Sequence, residues 1–500
     1  MRFPGVQGAP LQLDPGTRDL AAALHDETTR AALVAQLPAW LRARRWFGGQ
    51  TRQLSEVRIE GWLSLDAGED ASAVLCAIAA TDRSGTTTHH PLFLARDASG
   101  VVGEALDRAA TRRHLLRILL SGEEVRGHGL RLRGEPTGTP LALGAQPTSR
   151  LIGAEQSNSS IVYDETAILK IYRRLESGPN PEVELGRYLT GNAGLTAIPA
   201  VYASGSLLAD PASGGELPAD FAAALLILQA FVPNEGDGWA WALDRASAAY
   251  AAAPTPEALA GWLAAEGTTL TEAAALGRVT ARMHAALAGA TGDLAPLEAT
   301  AADLAAWASG VGQEARETTL AIARAGWYDD PALLRSVEGA QVFAAPEVAF
   351  AGLQTRVHGD YHLGQTIRGP EGWMLLDFEG EPARTLGWRR RHQHPLVDVA
   401  GMVRSWDYAA RAAIDNDPAR AALAGAWGAA VRARFLDAYW AEADTAPQPF
   451  LPTNAADREA LLRLFELTKA LYEVRYELNN RPTWINIPGD AVVALLAGGL

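Results

Sequence analysis

Apolar positions follow two periods along this chain. Up to about residue 232 they form short strand-like runs bounded by Gly, Pro, Ser, Thr and Asp; beyond it they recur at helical spacing through alanine-rich segments. The start predicts a helix containing Leu37-Pro-Ala-Trp-Leu41, then a turn through Trp46-Phe-Gly-Gly49. Val74–Ile78 and Pro91–Leu94, split by the turn-rich Thr81 to Thr88, predict a small antiparallel sheet. His89 and His90 are adjacent on a strand and cannot both face one metal, so they are read as a surface pair. From Leu151 to Val232 the pattern predicts strands around one helix. Leu225 to Val232 reads as a buried strand running into the loop Pro233-Asn-Glu-Gly-Asp-Gly238, which marks a domain boundary. Ala242 to Ala265 and Thr269 to Leu287 predict packed helices broken at Pro254 and Pro256, and His284 on the second is read as a core histidine.

Composition narrows the class. A chain of 500 residues, 48% apolar, has the length for about three domains and ample material for buried cores. A net charge of -14 argues against nucleic-acid binding, and Arg389-Arg-Arg391 is too short a run to change that. The single cysteine, Cys76, excludes an intramolecular disulfide framework and fits a reducing cytoplasm. No apolar run is long enough for a membrane span, and no signal-like start is present, so a cytoplasmic protein is expected.

The chemistry concentrates in His358-Gly-Asp-Tyr-His-Leu-Gly-Gln365, followed by Trp373-Met-Leu-Leu376 and Asp377-Phe-Glu379. Phosphoryl transfer needs a carboxylate to accept the proton of the attacking hydroxyl and oxygen ligands to hold Mg²⁺ against the ATP phosphates. Asp360, Gln365 and Asp377 are the expected base and metal ligands. The chain has only two lysines, Lys170 and Lys469, although Lys and Arg together number 44. A retained lysine marks a place where a compact charge is needed. Lys170 lies in the strand-like Ala167-Ile-Leu-Lys-Ile-Tyr172, as a phosphate-binding kinase lysine does, and Glu184 in Asn180-Pro-Glu-Val-Glu-Leu185 is its expected helix partner. Lys469 lies in a helical pattern and is given no catalytic role. The turn Gln156-Ser157-Asn158-Ser159-Ser160 stands where kinases carry a phosphate loop, and the backbone of Gln229 to Val232, including Phe231, is the expected adenine edge.

On these residues, together with Ala154-Glu-Gln-Ser-Asn-Ser-Ser160, Asp377-Phe-Glu-Gly-Glu-Pro382 and Tyr472-Glu473 through Asn480-Arg-Pro482, the chain resembles the actinobacterial maltokinases and their aminoglycoside-phosphotransferase-like relatives. The resemblance implies an α+β, bilobal protein-kinase-like fold: an N-terminal α/β cap domain at 1–130, a β-rich nucleotide-binding lobe at 131–232 and a helical catalytic and acceptor lobe at 233–500. It implies Asp360 as catalytic base, Gln365 and Asp377 on Mg²⁺ with Glu379 assisting a second ion, and Lys170 with Glu184 orienting ATP. Departures from the maltokinase pattern at Thr468, at Trp484-Ile-Asn-Ile-Pro-Gly489 and at Arg391-His-Gln-His-Pro395 fall in the acceptor lobe and point to another sugar. The expected acceptor is D-glucosamine, phosphorylated at O6. The alternatives are maltose phosphorylated at O1 and, in another class, a catalytically silent sugar or nucleotide sensor. Candidate acceptor contacts are His362, Arg404, Asp407, Tyr408, Tyr472, Glu473 and Trp484, with Trp406 as a further stacking surface. Asp407 or Glu473 is the expected counter-charge for an amine. Asp398 is expected to cap the helix that follows it. The partners expected are ATP and a small sugar, with no nucleic acid or membrane and a monomeric state.

Overall fold

In Ala73–Asp82 every residue from Ala73 to Ala80 is buried, because both faces of this strand are covered. Val74, Cys76 and Ile78 pack with Leu33, Leu37, Trp40 and Leu41 of the helix Glu27–Arg42. Leu75 and Ala77 enter a second core with Leu115, Ile118 and Leu119 of the helix Ala109–Ser121 and with Leu130, Ile161 and Leu169 of a second sheet. Alternation across the pleat thus places one strand in two cores. The computed structural model describes residues 11–13, 19–47, 53–65, 73–97, 99–152 and 158–498. The chain divides into two units, Met1–Pro233 and Asn234–Leu500.

Among the described residues, the first unit carries two sheets. One has five strands in the order Leu11–Gln12, Val101–Glu104, Thr87–Arg96, Ala73–Asp82 and Leu54–Ser64. The other has seven, in the order Glu124–Arg126, Gly129–Pro136, Val201–Asp210, Ala222–Ala230, Ala167–Tyr172, Asn158–Tyr163 and Ser149–Ile152, each antiparallel to its neighbour. His89 and His90 are not a surface pair. The His90 ring is buried between the Arg173 carbonyl at 2.7 Å and the Thr88 hydroxyl at 2.9 Å, and His89 lies 3.3 Å from the buried Glu60. They do point to opposite faces, but the protein covers both. Cys76 is wholly buried, which pushes its thiol up to about 12 and leaves it inert.

The second unit is helical. Its longer helices are Gly238–Ala252, Pro256–Glu266, Thr268–Ala288, Ala301–Ala325, Pro331–Ala340, Leu396–Ala412, Ala421–Ala443, Ala455–Asn480 and Asn486–Ala497, with the hairpin Thr366–Gly369/Gly372–Leu375 set among them. Thr268–Ala288 and Ala421–Ala443 approach so closely at Gly277 that a β-carbon there would stand 2.2 Å from the Phe435 carbonyl oxygen. Only glycine fits that crossing. No described helix is long and apolar enough to cross a membrane.

Candidate active site

In the first unit, the lysine strand and a helix hold candidate nucleotide-binding residues. Residues two apart on a strand share a face, so Lys170 and Tyr172 point the same way and meet one carboxylate. Glu182 lies 2.9 Å from the Lys170 ammonium and accepts the Tyr172 hydroxyl at 2.6 Å. The expected partner was Glu184, and the structure corrects it. The helix Pro181–Arg187 is capped by Asn180, whose side chain accepts from the amides of Glu182 and Val183. With that start, residues 182 and 184 lie about 200° apart around the axis, at ~100° each, so turning Glu182 to the strand turns Glu184 away. Lys170 and Glu182 are both buried, and such pairing retains a charge that burial would otherwise neutralise.

Asn158, Ser159 and Ser160, expected in a phosphate turn, belong to the strand Asn158–Tyr163, with Ser160 opposite Lys170 in register. Ser157 and the rest of Ala154–Gln156 lie outside the described residues, as do Gly48 and Gly49. At the adenine edge, the Phe231 amide donates to the Thr166 carbonyl at 2.9 Å, and Gln229, Phe231 and Val232 are half-buried at the end of the strand Ala222–Ala230.

In the second unit one helix face holds the loop 358–363 at three points. Asp398, Gly401 and Ser405, spaced i, i+3 and i+7 on Leu396–Ala412, lie in a row. The Asp398 carboxylate accepts the backbone amides of His358 at 2.8 Å and Gly359 at 2.9 Å. Gly401 lets the helix approach to where a β-carbon would sit 2.5 Å from the Tyr361 carbonyl oxygen, and the Ser405 hydroxyl accepts the Leu363 amide at 3.1 Å. Asp398 is therefore not a helix cap: it stands inside the first turn, behind Pro395, and its oxygens serve the loop. Burial raises its pKa, but the His284 ring, 3.2 Å away, and the loop amides more than offset this and hold it below the usual carboxylate range. His284 is the fully buried histidine expected, with Nδ1 2.8 Å from the Tyr439 hydroxyl.

The loop is also tied to the metal-ligand segment. The His358 Nε2–H donates to the Leu376 carbonyl at 2.7 Å, which leaves Nδ1 to accept the Asp360 amide at 3.4 Å. The hairpin pairs Thr366 with Leu375, and one step further the Leu376 amide donates to the Gln365 carbonyl at 2.9 Å. Gln365 and Asp377 are thereby brought side by side. Asp377 adopts a left-handed backbone, φ 60°, which costs an L-residue roughly 1–2 kcal/mol. A carboxylate oxygen of Asp377 and one of Glu379 come within 4.8 Å of each other. The donor set is carboxylate and amide oxygen, which suits Mg²⁺. The Asp360 carboxylate and the Gln365 side-chain amide make no hydrogen bond to the described residues. Arg389, from the arginine run, is buried and donates to the Glu379 carbonyl at 3.0 Å.

Around Asp360 stand His362, a candidate acceptor contact, and two groups given no role in the sequence, Glu381 and Lys469. Burial, reinforced by the Asp360 charge, raises the pKa of Glu381 against the opposing pull of Lys469 and Arg384. Burial lowers that of His362, with Asp360 pulling it up and His358 and Lys469 down. Lys469, set aside as a helix residue, therefore stands within the electrostatic reach of Asp360's neighbours. The scarcity of lysine that singled out Lys170 was the signal for Lys469 too.

Of the remaining candidates, Arg404, Glu473 and Tyr408 are buried, and Arg404 joins Glu473 to the half-buried Asp407. Arg404 donates to Glu473 at 2.9 Å and Asp407 at 2.6 Å, and the Tyr408 hydroxyl donates to Glu477 at 3.0 Å. Trp484 stacks on Tyr408 at 6.4 Å and lies under the Arg481 guanidinium. Trp406 is fully buried and offers no face to a sugar. His394, in the departing Arg391-His-Gln-His-Pro395 segment, is buried against Phe465 and bonded to the Ala351 carbonyl; burial lowers its pKa to about 4.

Residues 40–115 match the maltokinase N-terminal cap domain. The chain is 28% identical over 460 residues to a glucosamine kinase of Streptacidiphilus jiangxiensis, covering 88% of this chain and 93% of that one. It is 29% identical over 353 residues to a glucosamine kinase of Mycolicibacterium smegmatis, covering 70% and 80%. A solved glucosamine kinase in complex with glucosamine, ADP and inorganic phosphate superposes with a TM-score of 0.60 at 25% identity, over 90% of this chain and 96% of that one. In its cap-domain match, its protein-kinase-like fold and these relatives, the chain is similar to the maltokinase-like kinases, glucosamine kinases among them.

Proposed function

We propose that this protein is an ATP-dependent sugar kinase that transfers the γ-phosphoryl group of ATP to O6 of D-glucosamine. The observation that carries the reading is the Asp360 carboxylate, held on a braced loop without a protein partner among the described residues and followed by the Gln365–Asp377 pairing. Asp360 accepts the O6 proton as O6 attacks the γ-phosphorus and ADP leaves. Lys170, oriented by Glu182, neutralises the triphosphate, with Asn158 to Ser160 and the Gln229–Val232 edge on the nucleotide. Gln365, Asp377 and Glu379 hold Mg²⁺, which supplies charge neutralisation on the phosphate oxygens. Glu381 serves as counter-charge for the sugar ammonium, since Asp407 and Glu473 are already committed to Arg404. The division into cap, nucleotide lobe and acceptor lobe, and action as a cytoplasmic monomer on small-molecule substrates, belong to the same reading.

Maltose 1-phosphate formation is the second reading, favoured by the maltokinase match of the cap. A coupled ADP-release assay with Mg-ATP across glucosamine, maltose, glucose and N-acetylglucosamine separates the two. Selective turnover of glucosamine, abolished by chelation and restored by Mg²⁺, is the expected result. Maltose-selective turnover establishes the second reading; turnover of no sugar at all leaves a silent sensor.

A further inference from the structure

The strand Ala167–Tyr172 offers Glu182 two donors from one face. Lys170 Nζ and the Tyr172 hydroxyl meet the same carboxylate oxygen, Oε2, at 2.9 and 2.6 Å. An O–H···O contact of that length falls in the range of bonds to an ionised acceptor, ~2.5–2.7 Å. Lys170, Tyr172 and Glu182 are 8%, 3% and 2% exposed, so water competes little for the carboxylate.

The two donors differ in what else they can do. The Lys170 ammonium ends a flexible four-carbon stem and has three N–H groups to share with phosphate oxygens. The Tyr172 phenol carries a single O–H, on a ring fixed among Val201 and Ile227 with Val183 and Ala224 beside it, and directs it at Glu182. The helix Pro181–Arg187 is held elsewhere too. A β-carbon at Gly186 would stand 3.0 Å from Val201 Cγ2, and Arg187 donates to the Ser204 hydroxyl at 2.9 Å and the Glu135 carboxylate at 3.3 Å. Tied at both ends, this helix resists the swing by which protein kinases make and break their lysine–glutamate pair.

We infer that Tyr172 is a positioning residue for nucleotide binding: its hydroxyl keeps Glu182 turned to Lys170 before any nucleotide arrives, so the pair stays assembled when the ammonium is drawn to the phosphates. The inference rests on the proposed role of Lys170 at the triphosphate. Without the hydroxyl one of the two strand donors is lost, the fraction of protein with the pair assembled falls, and the apparent Kd for ATP rises by the same factor. Bound nucleotide holds Lys170 by itself, so the loss falls on Kd and KM for ATP rather than on kcat.

The test combines Mg-ATP titration calorimetry with ADP release in wild type, Tyr172→Phe, Glu182→Gln and the double variant. Tyr172→Phe keeps the ring and is expected to raise Kd and KM for ATP about tenfold, as for loss of one hydrogen bond to a charged group, with kcat and KM for glucosamine within about twofold of wild type. Added to Glu182→Gln, it is expected to change Kd by less than about twofold, because the hydroxyl acts through the carboxylate. An unchanged Kd for ATP in Tyr172→Phe, even with a lowered Tm, or effects that multiply in the double variant, overturns the inference. In the wild type, amide hydrogen exchange of residues 183–187 is expected to be equally slow with and without Mg-ADP; protection that appears only with the nucleotide also overturns it. A wild type whose ATP binding is weakened by Tyr172→Phe but which phosphorylates no sugar refutes the function reading and leaves the inference standing; a wild type that binds no ATP refutes both.

Discussion

Replacing Asp398 by Asn tests whether this buried carboxylate holds the catalytic loop. The change is nearly isosteric, so packing is kept while the hydrogen bonding is altered. In the native structure Oδ2 accepts from the His358 amide at 2.8 Å and faces His284 Nε2 at 3.2 Å, and Oδ1 accepts from the Gly359 amide at 2.9 Å. All three groups are donors, and the site is fully buried. Asparagine has one acceptor oxygen. Whichever way its amide turns, its NH₂ faces at least one donor, which loses a charge-assisted bond and leaves a buried N–H unpaired. Each such loss costs about 1–3 kcal/mol, so about 2–4 kcal/mol in total is expected. Because two of the donors are the amides just before Asp360, the base shifts with them; a displacement of order 1 Å costs about 10²-fold in rate. Thermal unfolding and kcat measured together are the assay. Asp398→Asn is expected to lower Tm and to reduce kcat by about 10²-fold with KM for ATP nearly unchanged, since the proposed nucleotide contacts of the first unit are untouched. An unchanged Tm and a kcat within about twofold of wild type, a difference worth only ~0.4 kcal/mol, would refute the reasoning.

Asp360→Asn removes the proposed base and is expected to lower kcat about 10²–10⁴-fold, with ATP binding by calorimetry retained. Glu182→Gln, which discharges the Lys170 partner, is expected to lower kcat/KM for ATP about tenfold or more, as for loss of a charged hydrogen bond; Glu184→Gln is expected to have the smaller effect, and the reverse order would reinstate Glu184. Glu381 has a raised pKa, through burial and then the Asp360 charge, so its folded form holds a proton that the unfolded chain releases. Ionisation then costs stability as pH rises above the ordinary carboxylate value, and the cost grows until pH passes the raised folded pKa. Glu381→Gln should therefore raise Tm at pH 7, with no gain in acid, and should raise KM for glucosamine at neutral pH; equal Tm differences at both pH values would remove the electrostatic explanation.

Much of the fold could be read from local pattern, because the two periods and the breakers Pro233 to Gly238, Pro254 and Pro256 act within a few residues of the chain. Helices were predicted at Ala242–Ala265 and Thr269–Leu287, and the structure has Gly238–Ala252, Pro256–Glu266 and Thr268–Ala288. The strands around Val74–Ile78 and Pro91–Leu94 pair as expected. Exposure was harder to read. A strand's sequence shows which residues share a face, but only the elements packed above and below decide whether that face meets water, and so His90 proved buried and Trp406 unavailable.

What the sequence by itself determined is the chemistry that lies close along the chain. Asp360, Gln365 and Asp377 are within eighteen residues of one another, and one loop and one tight hairpin suffice to bring them together. Lys170 was marked by the rarity of its residue type. The tertiary structure alone decided which groups support them. Glu182 rather than Glu184 meets the lysine because helix phase depends on where Asn180 caps and how the helix docks. Asp398, His284, Glu381 and Lys469 act on the loop from separate places in the sequence, three of them on long helices. Such contacts leave no local period or spacing, since a buried carboxylate is tolerable only where distant donors converge on it, and that convergence exists only once the helices have packed.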